Sequence, residues 1–127
     1  MSADYKYPVR DYVYDATLLK VVDGDTVQVK LDLGCDVRIE PMKIQMNGIN
    51  AKGKNTKAGK VAMAYLQELF PEGSNVRIET LKDEKEKYGR YLGILHHPSL
   101  SQSVNAEMIS LGLVEPYYGV GKAVDTE

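Results

Sequence analysis

The chain has one cysteine, Cys35, in 127 residues, which excludes an internal disulfide and any zinc site built from cysteines. No apolar run approaches the roughly 18 residues needed for a membrane-spanning helix. The opening stretch MSADYKYPVR lacks the apolar core of a secretory signal, so the expectation is a cytoplasmic protein with no membrane partner. Charge of one sign is not in excess either: 16 Lys+Arg against 18 Asp+Glu give a formal net charge of -2, which excludes a uniformly basic coat for nucleic acid. Internal repeats, low-complexity stretches and dividing linkers are also missing. What remains is an ordinary globular composition, 43% hydrophobic and 27% charged, at a length that suits one domain. Both ends are polar or glycine-bearing and weakly periodic. The organisation expected is a flexible N-terminal segment over 1–11, one domain over 12–118 and a C-terminal tail over 119–127.

The first half has the periodicity of strands. Tyr12–Val22 is rich in Tyr, Val, Leu and Thr, and Asp23-Gly24 marks a tight turn. Val27, Val29, Leu31 and Leu33 then alternate with Gln28, Lys30 and Asp32, giving one buried and one wet face. Leu33–Asp36 breaks that strand, Pro41 delays the next, and Met42–Ile49 resumes the extended pattern. Ala58, Val61, Ala62, Tyr65, Leu66 and Leu69 next recur at helical spacing, with Asn55 or Thr56 as cap and Pro71 and Gly73 as stop. Val76–Glu79 alternates as a strand, Leu81–Tyr88 reads as a charged loop, and Arg90–His96 as a last strand. Gln102–Leu111 predicts a second helix, with Val104, Met108 and Leu111 facing the core and Gly112 at its C-terminal cap. Three strands, a helix, two strands and a helix is the order of a five-stranded OB barrel with helices, an α+β fold.

Three separated segments carry a resemblance. Ala16–Val27, containing Val21-Val22-Asp23-Gly24-Asp25-Thr26-Val27, resembles the first hairpin of the staphylococcal (thermonuclease-like) nuclease family. Lys87-Tyr88-Gly89-Arg90 resembles that family's Lys-Tyr-Gly-Arg motif, and Val104-Asn105 with Leu111-Gly112-Leu113-Val114 resembles its C-terminal helix. Asp-Gly-Asp alone is often just a turn; all three in order span about residues 12–118.

The resemblance implies calcium-assisted hydrolysis of DNA or RNA phosphodiesters. Such a site needs carboxylates for a hard cation, a general base for the attacking water and paired guanidinium groups for the phosphate. Asp25 matches the family's first metal carboxylate, and Arg90 matches one phosphate-binding arginine. The family's central pattern, Arg-x-x-x-x-Asp-Thr/Ala-Pro-Glu, falls on Gln45–Gly53. There the arginine has become Gln45, the aspartate Asn50, the proline Lys52 and the glutamate Gly53; the Ala51 carbonyl would still suit a metal, and the uncharged Asn50 amide oxygen is a weaker ligand. Loss of a general base costs about 100- to 10,000-fold, and loss of an arginine at a phosphoryl centre about 1,000-fold by analogy with arginine fingers. A dead or nearly dead nuclease site follows as the expectation, with no cofactor, or calcium held only weakly by Asp25, Asn50 and Ala51.

From Pro41 to Gln67 there is no acidic residue, whereas Lys43, Lys52, Lys54, Lys57 and Lys60 are all basic. Lysines early in a helix oppose its dipole and suit an anion such as a phosphate backbone; equally, they suit a solvated loop. Lys87 and Tyr88 match family residues that touch a terminal phosphate, and Tyr118, with Tyr117, is either a base-stacking platform or a clamp on the barrel. His96 and His97 are adjacent on a strand and point to opposite faces, which argues against a shared ion. Asp23 supports Asp25, Asn105 matches a family residue that bonds backbone across the core, and Cys35 reads as an incidental thiol. Three readings stay open: an impaired nuclease fold binding DNA, RNA or another polyanion; a slow calcium-dependent nuclease; and an OB scaffold recruiting a protein partner.

Overall fold

A computed structural model describes residues 12–85 and 90–117. The chain runs β1 (Val13–Asp23), β2 (Thr26–Gly34), β3 (Val37–Met46), β4 (Ile49–Asn50), α1 (Lys57–Leu69), β5 (Asn75–Lys85), β6 (Tyr91–His96), α2 (Val104–Ser110) and β7 (Glu115–Pro116). Five strands close into a barrel in the order β1-β2-β3-β6-β5, while β4 and β7 form a separate two-stranded ladder. Every barrel pairing is antiparallel except β3 with β6, which run parallel from Ile44↔Tyr91 to Met46↔Gly93. This closure, with a helix after the third barrel strand, is the OB arrangement expected from the order of elements.

Bulges let strands of this length curl. In β1 the buried positions step from Ala16 and Leu18 to Val21, because Leu18 pairs with Val29 while Lys20 pairs with Gln28, leaving Leu19 as an extra residue. The inserted residue reverses the inward face, so Lys20 stays in water and Val21 enters the core. Between Val29↔Met42 and Leu31↔Ile39 a second bulge leaves Glu40 and Pro41 opposite Lys30. A proline is tolerated there because a bulge suspends the ladder. β3 therefore begins at Val37, ahead of Pro41, earlier than the sequence pattern suggests. It also stops sooner: Gly48, at φ 82°, turns the chain after Met46, and Ile49-Asn50 pairs with Glu115-Pro116 instead of prolonging β3.

α1 is capped by Thr56, whose hydroxyl accepts from the Gly59 N–H at 3.0 Å and donates to the Gly53 carbonyl at 2.7 Å. Its buried stripe is Gly59, Ala62 and Leu66, continued by Phe70. Ala58 and Val61, expected on that stripe, are exposed, because Gly59 is the residue pressed against the preceding loop. α2 is capped by Ser103, which accepts from the Ala106 N–H at 3.0 Å, and buries Val104, Asn105 and Met108. Leu111, expected in the core, is 52% exposed, as is Leu33 at 39%; both lie where the chain leaves its element. The charged stretch from Leu81 onward is a strand as far as Lys85, recruited by pairing with β6; the rest of that expected loop lies outside the described residues. No helix among the described residues is long and apolar enough to cross a membrane.

Candidate functional site

The β1–β2 turn, the end of β3, the start of β6 and the loop before α1 meet at one end of the barrel. Gly24 is the hinge of that meeting. A side-chain carbon there would stand 2.8 Å from the Ala51 Cβ and 2.9 Å from the Ala62 Cβ, so only a glycine lets the turn lie against both loop and helix. Gly59 serves the same end from the other side: a Cβ on it would overlap the carbonyl of Gly53. The turn, the 51–53 loop and the first turn of α1 are thus locked into one block.

Asp25 sits at the centre of this block, 7% exposed. Its backbone carbonyl accepts from the Met46 N–H at 2.8 Å. The Ala51 N–H donates to its Oδ2 at 3.0 Å and the Thr26 hydroxyl lies 3.1 Å from its Oδ1. Burial is the largest influence on the carboxyl, and together with the hydrogen bond and negative charge of Asp23 it raises the pKa to about 6, against the lowering effect of the Ala51 and Thr26 donors. Asp23 also accepts from the Asp25 N–H at 3.3 Å, which closes the turn.

Thr26 is the residue sequence reasoning passed over. Its Oγ1 is 3.2 Å from Gln45 Oε1 and receives Arg90 Nη1 at 3.3 Å. One hydroxyl proton serves either Asp25 or Gln45 at a time, so Asp25, Thr26, Gln45 and Arg90 form one connected polar network. The available signal was positional: Thr26 is the ladder partner of Gln45, and pairing of β2 with β3 was already implied by the turn between them.

The remaining site candidates lie in the loop. Ala51 contributes its backbone N–H to Asp25, whereas Asn50 and Gly53 face solvent. Lys52, Lys54, Lys57 and Lys60 are all exposed, and the first turn of α1 carries no acidic residue. Lys52 Nζ lies 3.9 Å from Glu115 Oε2, with both side chains well exposed at 62% and 69%; this acidic neighbour on β7 escaped the sequence reading because it lies more than sixty positions along the chain. Lys87, Tyr88 and Tyr118 lie outside the described residues. The Tyr117 N–H donates to the Gly48 carbonyl at 2.8 Å, so the chain after β7 is clipped to the turn after β3. His96 Nε2 is 3.4 Å from Glu79 Oε1, while His97 bonds Ser99 and meets Phe70 edge-on. No three His, Cys, Asp or Glu among the described residues are grouped so as to hold a metal ion.

No protein-family model matches the chain. Over 117 residues it is 26% identical to Endonuclease YhcR of Bacillus subtilis (strain 168), a match that takes in 87% of this chain and 10% of that protein. The chain therefore spans about a tenth of the length of the curated relative it matches. The barrel and this distant similarity together are compatible with a nuclease-like domain of the staphylococcal type.

Proposed function

We propose that this chain is a nuclease-like barrel that has lost most or all phosphodiester cleavage and binds nucleic acid, or a similar polyanion, at the end of the barrel marked by Asp25, Arg90 and the lysine loop. The observation that carries the reading is the state of Asp25. Its Oδ2 accepts from the Ala51 N–H, and its Oδ1 lies within reach of the Thr26 hydroxyl that it shares with Gln45. Calcium prefers several anionic oxygens free to close around it; here the carboxylate beside Asp25 is Asp23, which is engaged by the Asp25 N–H, and positions 45, 50 and 51 are the neutral Gln45, Asn50 and Ala51. These residues do not fit the ion, and no catalytic step is derived through it. Gly53 has no side chain to act as a base, and the neutral Gln45 stands where the resembled family carries its second arginine.

Support for binding comes from the charge that remains. Lys52 and Lys54 reach water from the loop locked against the Asp25 turn, Lys57 and Lys60 from the first turn of α1, and none of Lys54, Lys57 and Lys60 has an ion-pair partner among the described residues. About four phosphate contacts give a single-strand salt slope of about -3, hence weak binding that fades between about 50 and 200 mM salt. Fluorescence anisotropy with labelled single-stranded DNA and RNA measures this slope directly. No binding at about 50 mM salt overturns the binding half of the proposal. Cleavage of either substrate in millimolar calcium, above the rate of an Asp25→Ala control, overturns the other half. Gln45→Arg, Asn50→Asp and Gly53→Glu introduced together are expected to create calcium-dependent cleavage.

A further inference from the structure

Three exposed large hydrophobic side chains lie on the β2–β3 hairpin: Leu33 at 39%, Val37 at 52% and Ile39 at 42% exposed. The strand that carries two of them has one side without a partner among the described residues. β3 is paired with β2 along most of its length but with β6 only over Ile44–Met46. Among the described residues nothing pairs with the other edge of Val37–Pro41. An open edge of this kind is a template for a further strand unless something blunts it. Pro41 limits its length, since it has no N–H to offer, but leaves the segment before it intact.

The side chains on that segment are self-complementary. Val37 and Ile39 share one face, Arg38 and Glu40 the other. Arg38 and Glu40 are exposed and make no ion pair among the described residues. When two copies are set edge to edge and antiparallel, with the two-fold axis at Ile39, Arg38 of each copy lies across from Glu40 of the other and Ile39 lies against Ile39. Moving the register by one residue sets each charge against a hydrophobic residue or proline. Moving it by two sets Arg38 against Arg38, or Glu40 against Glu40. Opposite charges directly across a ladder stabilise it and like charges oppose it, so the charges admit one register. We propose that this edge of β3 pairs with the same edge of a second copy of the chain, about a two-fold axis through Ile39. The contact is isologous, so it closes at a dimer and does not propagate. A strip this short buries less than the roughly 1,200 Å² of a stable interface, so the dimer is weak and reversible.

Sedimentation equilibrium of the full chain, from about 10 µM to about 1 mM at low salt, reads the association. A concentration-dependent dimer is expected. Arg38→Glu and Glu40→Arg should each weaken it about ten-fold or more, since each turns two attractive pairs into repulsive ones, and the two changes together should restore it. Cys35 is exposed at the hairpin tip and is the chain's sole cysteine, so a spin label there is site-specific. At a strand rise of about 3.3 Å per residue, the two labels should sit about 20–30 Å apart in the dimer. A monomer throughout the range, a dimer indifferent to both charge reversals, or a label separation outside that span overturns the proposal.

Discussion

Asn105 and Asp25 are both buried polar side chains, 5% and 7% exposed, and the protein treats them in opposite ways. Asn105 is neutral and fully used: it accepts from the Leu95 N–H at 3.0 Å and its amide donates to the Asn47 carbonyl at 2.7 Å and the Gly93 carbonyl at 3.2 Å. These bonds tie α2 to β6 and to the turn after β3. Asp25 is also hydrogen-bonded on both oxygens, yet burial and Asp23 leave its ionised form disfavoured. A satisfied neutral group holds a fold together; a buried carboxylate with a raised pKa opposes it at neutral pH and marks a candidate functional residue. The first belongs to the scaffold, the second to the site.

Removing the scaffold group should have the larger effect. Asn105→Ala takes their Asn105 partner from the Leu95 N–H and the Asn47 carbonyl, at about 1–3 kcal/mol for each buried group left unsatisfied, while the Gly93 carbonyl keeps the Asn47 N–H. A loss of about 3–5 kcal/mol in urea unfolding is expected, a large part of the stability of a domain of this size. A loss below about 1 kcal/mol would mean that water replaces all three bonds, and the contrast with Asp25 would fail.

Asp25→Asn should move stability the other way. The folded pKa, about 6, lies above the ordinary value of 3.8, so the folded state holds its proton more tightly than the unfolded chain. The stabilisation linked to that proton is complete below about pH 4 and is lost as pH rises through about 6. The amount at stake is about 3 kcal/mol. Asparagine keeps an acceptor for the Ala51 N–H and removes the charge. The variant should therefore be more stable than the wild type at pH 7–8 by about 1–3 kcal/mol, with the difference shrinking towards pH 4. Thermal melts of both proteins across that range measure it, and a variant less stable at pH 8 than at pH 4 relative to wild type contradicts the burial argument.

The same contrast explains what was legible in the sequence. The helix around Asn105 could be read because its signals are local: Val104 and Met108 at helical spacing, Ser103 before them and Gly112, at φ 74°, after them. The role of Asn105 itself came from the family resemblance, since its partners Leu95, Asn47 and Gly93 lie 10, 58 and 12 positions away. The barrel strands could be read from alternation, except where a bulge changed the phase at Leu19 or admitted Pro41. Alternation carries no record of an inserted residue until the partner strand is known. Strand β5 beyond Leu81 was hidden for a related reason, since its charged residues favour a loop until β6 lies beside them. At the site, the substituted positions were visible as residue types. The network through Thr26 and the approach of Glu115 to Lys52 were not, because both join segments that meet only in the closed barrel.

The smallest predicted effects lie at that last contact, and they separate scaffold from site most finely. The Lys52–Glu115 pair is 3.9 Å apart with both side chains largely in water, so screening leaves it little stabilising weight. Lys52→Ala and Glu115→Ala should each change unfolding free energy by less than about 0.5 kcal/mol. Their effects on polyanion binding should differ in sign. Lys52→Ala removes one phosphate contact and should lower the single-strand salt slope by about 0.7. Glu115→Ala removes a competing carboxylate and should tighten binding a few-fold at low salt, about 0.5 kcal/mol. If both variants weaken binding alike, Glu115 positions Lys52 for the phosphate and does not compete for it, and the lysine loop would then be part of a built site.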